Sequence, residues 1–88
     1  MRYTVNQEQV TWRILDGEAV IINNETSYYY SLNKTGAYLW ELLVDDALTL
    51  EEMVQKLSDR YRRSQENVSH EVRNLLDQLL QERLVKEN

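Results

Sequence analysis

The chain has no cysteine, no proline, no phenylalanine and two glycines in 88 residues. Without a thiol there is no disulfide framework, no thiolate metal site and no Cys nucleophile, and an intracellular setting follows as the expectation. Gly17 and Gly36 are each accounted for by a turn or a helix start, so no phosphate-cradling glycine-rich loop can be assembled. His70 is the one histidine and has polar neighbours. A metal site needs several convergent ligands, and a Ser–His triad needs an orienting acid and an oxyanion hole, so His70 reads as a surface residue. Glu51 and Glu52 are explained by a helix start, where carboxylates complement the dipole. The sequence therefore points away from an enzyme, and no cofactor is expected. No run approaches the ~18 continuous apolar residues of a membrane span, and Met1 to Gln9 hold no signal-like apolar stretch. A cytoplasmic protein with no membrane partner is expected.

What is present suits one small folded domain. Apolar residues make up 42%, including two Trp and six Tyr, enough for a single core but not for a second. Fifteen acidic residues against ten basic ones give a net charge of −5. Phosphate backbones are bound by cationic surfaces, so this balance argues against a nucleic-acid partner. The densest basic stretch, Arg60, Arg62 and Arg63 around Tyr61, reads as the solvated C-terminal end of a helix.

Val10, Trp12 and Ile14 alternate with Thr11 and Arg13, the period of a half-buried strand. Asp16-Gly17 tolerates the positive φ of a tight hairpin and leads into a second strand, Glu18 to Asn23. The polar stretch from Asn23 to Thr26 makes the next turn, and Ser27 to Leu32 has the aromatic content of a third strand. The period then changes. Asn33 can cap a helix burying Ala37, Leu39, Trp40, Leu42, Leu43 and Val44. Thr49 and Glu52 have capping-box spacing, and Leu48 and Met53 stand at the positions of a hydrophobic staple for a second helix, whose face carries Leu50, Met53, Val54, Leu57 and Tyr61. A third helix begins near Ser64, shows an apolar stripe of Val68, Val72, Leu75, Leu76, Leu79 and Leu80, and ends near Arg83. The predicted class is α+β in the order βββααα.

Three groups of residues together resemble the PqqD-like family: Ala19-Val20-Ile21-Ile22; Tyr29 to Asn33 with Thr35-Gly36-Ala37 and Leu39-Trp40; and Thr49 to Leu57 with Tyr61. Val68, Val72, Leu75, Leu76, Leu79 and Leu84 fit the same pattern, so the resemblance covers nearly the whole chain. These are RiPP recognition elements, which bind the leader peptides of ribosomally made, modified precursors. The resemblance implies a winged-helix-like domain, a three-stranded antiparallel sheet packed on three helices. It also implies a leader lying as an added strand beside the third strand, with the third helix as the other wall. Asn24-Glu25-Thr26 and Asp45-Asp46-Ala47 stand where proteins of pyrroloquinoline quinone synthesis usually carry a Pro-Glu-Gly-like turn and an Asp-Gly. The chain therefore looks more like the stand-alone proteins of lasso-peptide operons, with a leader peptidase or other maturation enzyme as second partner.

Apart from any family, a three-stranded meander leaves its third strand at an edge, and an exposed edge offers unpaired N–H and C=O groups to an extended peptide. Ser27 to Leu32 contains no charge, proline or glycine to blunt that edge. If Tyr28, Tyr30 and Leu32 face the helices, Ser27, Tyr29 and Ser31 face away. The tyrosines are also ordinary strand aromatics, and that alternative stays open for Tyr28 and Tyr30. On the third helix Val68, Val72 and Leu76 are taken as the groove wall, with Leu75 beside them, against the alternative of complete burial. On this reading Val72→Asp, or proline at Tyr29, abolishes peptide binding without unfolding the domain. Two rivals remain. One is a winged-helix nucleic-acid-binding regulator, opposed by Glu66, Glu71, Asp77 and Glu82 against Arg73 and Arg83 on the third helix. The other is a homodimer paired through the edge strand.

Overall fold

The computed structural model describes residues 1–88. Its order is β1 (Tyr3–Val5), β2 (Val10–Leu15), β3 (Glu18–Asn23), β4 (Tyr29–Leu32), α1 (Lys34–Asp45), α2 (Leu50–Tyr61), α3 (Gln65–Gln81) and β5 (Val85–Glu87). The α+β architecture expected from the periods is the one observed. β2, β3 and β4 form the antiparallel meander in that spatial order; α1 packs on it, and α2 packs against α1 and α3.

Local chemistry accounts for most element boundaries. Asp16 and Gly17 have φ of 53° and 81°, the positive pair that a two-residue hairpin between β2 and β3 demands. The Asn33 side chain accepts from the Gly36 N–H at 2.9 Å and starts α1. At α2 the Thr49 hydroxyl accepts from the Glu52 N–H at 3.1 Å while the Glu52 carboxylate accepts from the Thr49 N–H at 2.9 Å, the reciprocal box written in the sequence. Ser64 caps α3 through the Asn67 N–H.

The end of α3 is built without glycine. Arg83 adopts a left-handed φ of 60°, and the N–H groups of Leu84 and Arg83 reach back to the carbonyls of Leu79 and Leu80. This is a Schellman closure, and its usual apolar partners, here Leu79 and Leu84, are both buried. Leu84 is thereby turned into the core and the chain is released into β5.

The core is one cluster in which Trp40, Ile21, Leu39, Leu43, Met53 and Leu57 are almost fully enclosed. Trp12 of β2 meets Trp40 edge-to-face with ring centroids 6.2 Å apart.

Two features depart from the expected order. β1 and β5 pair antiparallel, Tyr3 with Glu87 and Val5 with Val85, in a second, two-stranded sheet. Its strands are three residues each, too short for a periodic signal, and each buries one valine, Val5 and Val85. The third strand of the meander begins at Tyr29, not Ser27. Ser27 has a left-handed φ of 66° and belongs to the turn.

Candidate functional site

β4 lies at the end of the sheet, paired on one side with β3 and on the other with nothing. Its register sets Ile22 opposite Tyr29, Ile21 opposite Tyr30, Val20 opposite Ser31 and Ala19 opposite Leu32. The Asn23 N–H donates to the Tyr28 carbonyl at 3.0 Å. Hydrogen-bonded pairs alternate along an antiparallel ladder, so the groups of Tyr30 and Leu32 point into the sheet. The N–H and C=O of Tyr29 and of Ser31 point out of it. Those four groups form the free edge.

The turn before β4 holds this edge in place. Asn23 is buried, and its side-chain oxygen accepts from the N–H groups of Glu25 and Thr26 at 2.9 and 3.2 Å. Its amide nitrogen donates to the Glu82 carbonyl at the end of α3, at 3.0 Å. One side chain thus fixes the turn and ties it to α3. In the sequence Asn23 reads only as a turn residue, because Asn is common in turns of every kind.

Between the β4 edge and α3 run two adjoining recesses. One, of about 410 Å³, opens over Leu32, Gly36 and Leu75. The other, of about 480 Å³, opens over Tyr30, Leu79 and Glu82. They share Ser31, Leu32, Leu75 and Gln78, and so form one groove parallel to the strand. Gly36 gives the first recess its depth: a Cβ there would stand 3.1 Å from Leu32 Cβ and 3.4 Å from Leu75 Cδ2. This glycine reads in the sequence as merely tolerable near a helix start, yet a side chain there would crowd Leu32 and Leu75.

The expected site residues separate into three groups. Tyr29, Tyr30 and Ser31 line the groove and edge, and Leu75 lies in both recesses. Ser27 and Tyr28 precede the strand, and Tyr28 is 66% exposed rather than turned toward the helices. Val68, Val72 and Leu76 are 1%, 1% and 4% exposed and belong to the core cluster, and Val72 also lines the first recess. The more exposed residues that line the groove from α3 and its cap are Glu71, Leu75, Gln78 and Glu82, one position before the buried Val72, Leu76 and Leu79, of which Val72 and Leu79 also reach the recesses. Apolar periodicity marks the stripe that the protein buries for itself. A partly polar wall carries no such mark.

Two acids, Glu71 of α3 and Glu82 at its C-terminal cap, border the groove. Glu71 is gripped by Arg63 through two contacts of 2.7 and 3.0 Å, which hold its carboxyl below the usual range. Glu82 accepts the Tyr30 phenol at 2.7 Å, and chiefly for that reason Tyr30 is pushed up to about 12. No group of three or more metal-ligating side chains converges anywhere in the chain. His70 is exposed, and no helix is long and apolar enough to cross a membrane.

The profile of a family described as coenzyme PQQ synthesis protein D (PqqD) matches residues 18–85. A comparison with curated proteins finds no match. Among solved structures, one described as TbiB1 in complex with the TbiA(beta) leader peptide is 24% identical, covering 97% of this chain and 96% of that one, with a TM-score of 0.85. A second, a lasso peptide synthetase B1 complexed with the leader peptide, is 16% identical over 99% of this chain and 100% of that one, with a TM-score of 0.82. At these identities the likeness establishes the fold.

Proposed function

Because the chain belongs to the PqqD family, we propose that it is a RiPP recognition element whose groove takes the leader peptide of a ribosomally made precursor as an added strand on β4. The guest backbone pairs with Tyr29 and Ser31, and its alternate side chains enter the recesses against α3. The domain then presents the precursor to a maturation enzyme, with a leader peptidase of lasso-peptide type as the favoured partner. It performs no chemistry itself.

The observation that carries this reading is the free hydrogen-bonding edge of Tyr29 and Ser31 directly beside a preformed groove. Main-chain pairing supplies affinity, and pockets for alternate side chains supply selectivity. That two proteins of the same fold are described as leader-peptide complexes supports the choice of guest. A second reading keeps the groove and changes the guest to the precursor of pyrroloquinoline quinone. The family description favours it, and Asn24-Glu25-Thr26 and Asp45-Asp46-Ala47 stand against it. Binding of nucleic acid is disfavoured, since the groove borders on Glu71 and Glu82 and no basic residue lines it.

Proline at Tyr29 tests the edge. The Tyr29 N–H faces outward, so its removal spares the ladder with β3, as proline is tolerated on the solvent side of edge strands. Tyr29→Pro is expected to keep its thermal transition and to lose titratable binding of the leader from the precursor gene nearest its own. Tyr30→Pro removes an inward N–H and is expected to destabilise the fold. Unchanged leader affinity in folded Tyr29→Pro would overturn the strand-addition mode.

A further inference from the structure

We propose that the guest strand carries a lysine or arginine opposite Tyr30, with its cationic head on Glu82, two residues from the apolar side chain that fills the Gly36 recess. This rests on the strand-addition reading of the groove and adds a chemical requirement to it. Laterally adjacent residues of a sheet project to the same face, so the guest residue beside Tyr30 faces α3, as Tyr30 does. It arrives over Tyr30, Gln78 and Glu82. The guest residue two places along, beside Leu32, arrives over Leu32, Gly36 and Leu75.

The charges at these two places differ. Of the residues lining the groove, Glu71 and Glu82 are the only ones of the Asp, Glu, Lys and Arg types. Glu71 is already matched by Arg63, one of only two ion pairs in the chain, the other being Arg2 with Glu52. Glu82 has no cation of its own. The Tyr30 phenol engages its Oε2, and no side chain donates to Oε1. Glu82 is half-buried before any guest arrives. A strand laid over it removes more of its water, and a carboxylate so covered is costly unless an opposite charge replaces that water. A guest lysine or arginine supplies that charge with a charge-assisted hydrogen bond, and the Tyr30 hydroxyl keeps the carboxylate oriented toward it. The net charge of −5 also favours the approach of a cationic segment over an acidic one.

A randomised library of nine-residue peptides displayed on phage, selected in parallel on the wild-type protein, Glu82→Gln and Tyr29→Pro, tests this. Glutamine keeps the size of Glu82 and still accepts the Tyr30 hydroxyl, so only the charge is lost. On the wild type, Lys and Arg are expected to be enriched about tenfold at one position, two residues from an apolar one, as a charge-assisted bond exceeds a neutral one by about that factor. On Glu82→Gln the cation is expected to disappear from the selected sequences while the apolar position stays. Apolar selection without a cation on the wild type, or equal cation enrichment on both proteins, overturns the Glu82 subsite and leaves the groove reading intact. A wild-type pool no different from the Tyr29→Pro pool overturns both.

Discussion

The phenol of Tyr30 and the carboxylate of Glu82, 52 residues apart in sequence, meet at 2.7 Å across the groove. The O–H donates, so ionising the phenol would break the bond and set two negative charges face to face. That is why Tyr30 is raised from 10.0 to about 12, with the hydrogen bond to Glu82 as the first cause. The stabilising contribution of this pair is complete below the ordinary tyrosine value and is lost as pH rises through the raised one. Followed by near-ultraviolet absorbance, one of the six tyrosines is expected to ionise last. In Tyr30→Phe that late step is expected to vanish. A wild-type titration with no late tyrosine would contradict the contact.

Among the elements, α3 shows how one helix serves two masters. Its Val68, Val72, Leu76 and Leu79 stripe closes the core, and the neighbouring Glu71, Leu75, Gln78 and Glu82 stripe faces the groove. The sequence reading expects Val72→Asp to stay folded and lose binding, whereas the burial of Val72 predicts that it destabilises the fold. It places an unpaired carboxylate at a position 1% exposed and costs several kcal/mol, a large part of the roughly 5–15 kcal/mol that stabilises a domain. Circular dichroism is expected to show Val72→Asp largely unfolded or with a much lowered Tm. A cooperative transition at the wild-type temperature would refute the core assignment. Substitution of Leu75 is the milder probe of the groove, since Leu75 is half-buried and lines both recesses.

At the scale of the whole molecule, two ion pairs clamp distant segments. Arg2 meets Glu52 at 2.9 Å and so joins the N-terminal segment to α2, while Arg63 meets Glu71 at 2.7 Å and joins the end of α2 to α3. The Thr49 N–H is the main reason that Glu52 is held below its ordinary 4.5, and the Arg63 guanidinium does the same for Glu71. Carboxyls lowered on folding contribute stability above the ordinary value, and the contribution is lost as pH falls through the lowered one. Both sites are exposed and solvent-screened, so the effect is small. The thermal midpoint is expected to decline as pH drops below 4.5, and less steeply in the double variant Glu52→Gln and Glu71→Gln. Identical acid profiles for the two proteins would remove these pairs from the account.

The sequence by itself determined the order of the central elements, the Asp16-Gly17 hairpin, the Thr49–Glu52 capping box and the exposed character of β4, because each is written in neighbouring residues. It also carried the family resemblance. It left out the β1–β5 sheet, whose strands are too short for periodicity and whose pairing joins the two ends of the chain. Only the tertiary structure decided which stripe of α3 faces the groove, that Gly36 forms its floor, and that Asn23 and Glu82 link the turn, the strand and the helix. Periodicity tells which side chains leave water. Where a groove stays open depends on how far apart the packed elements come to rest, and that distance is set by contacts between residues remote in sequence.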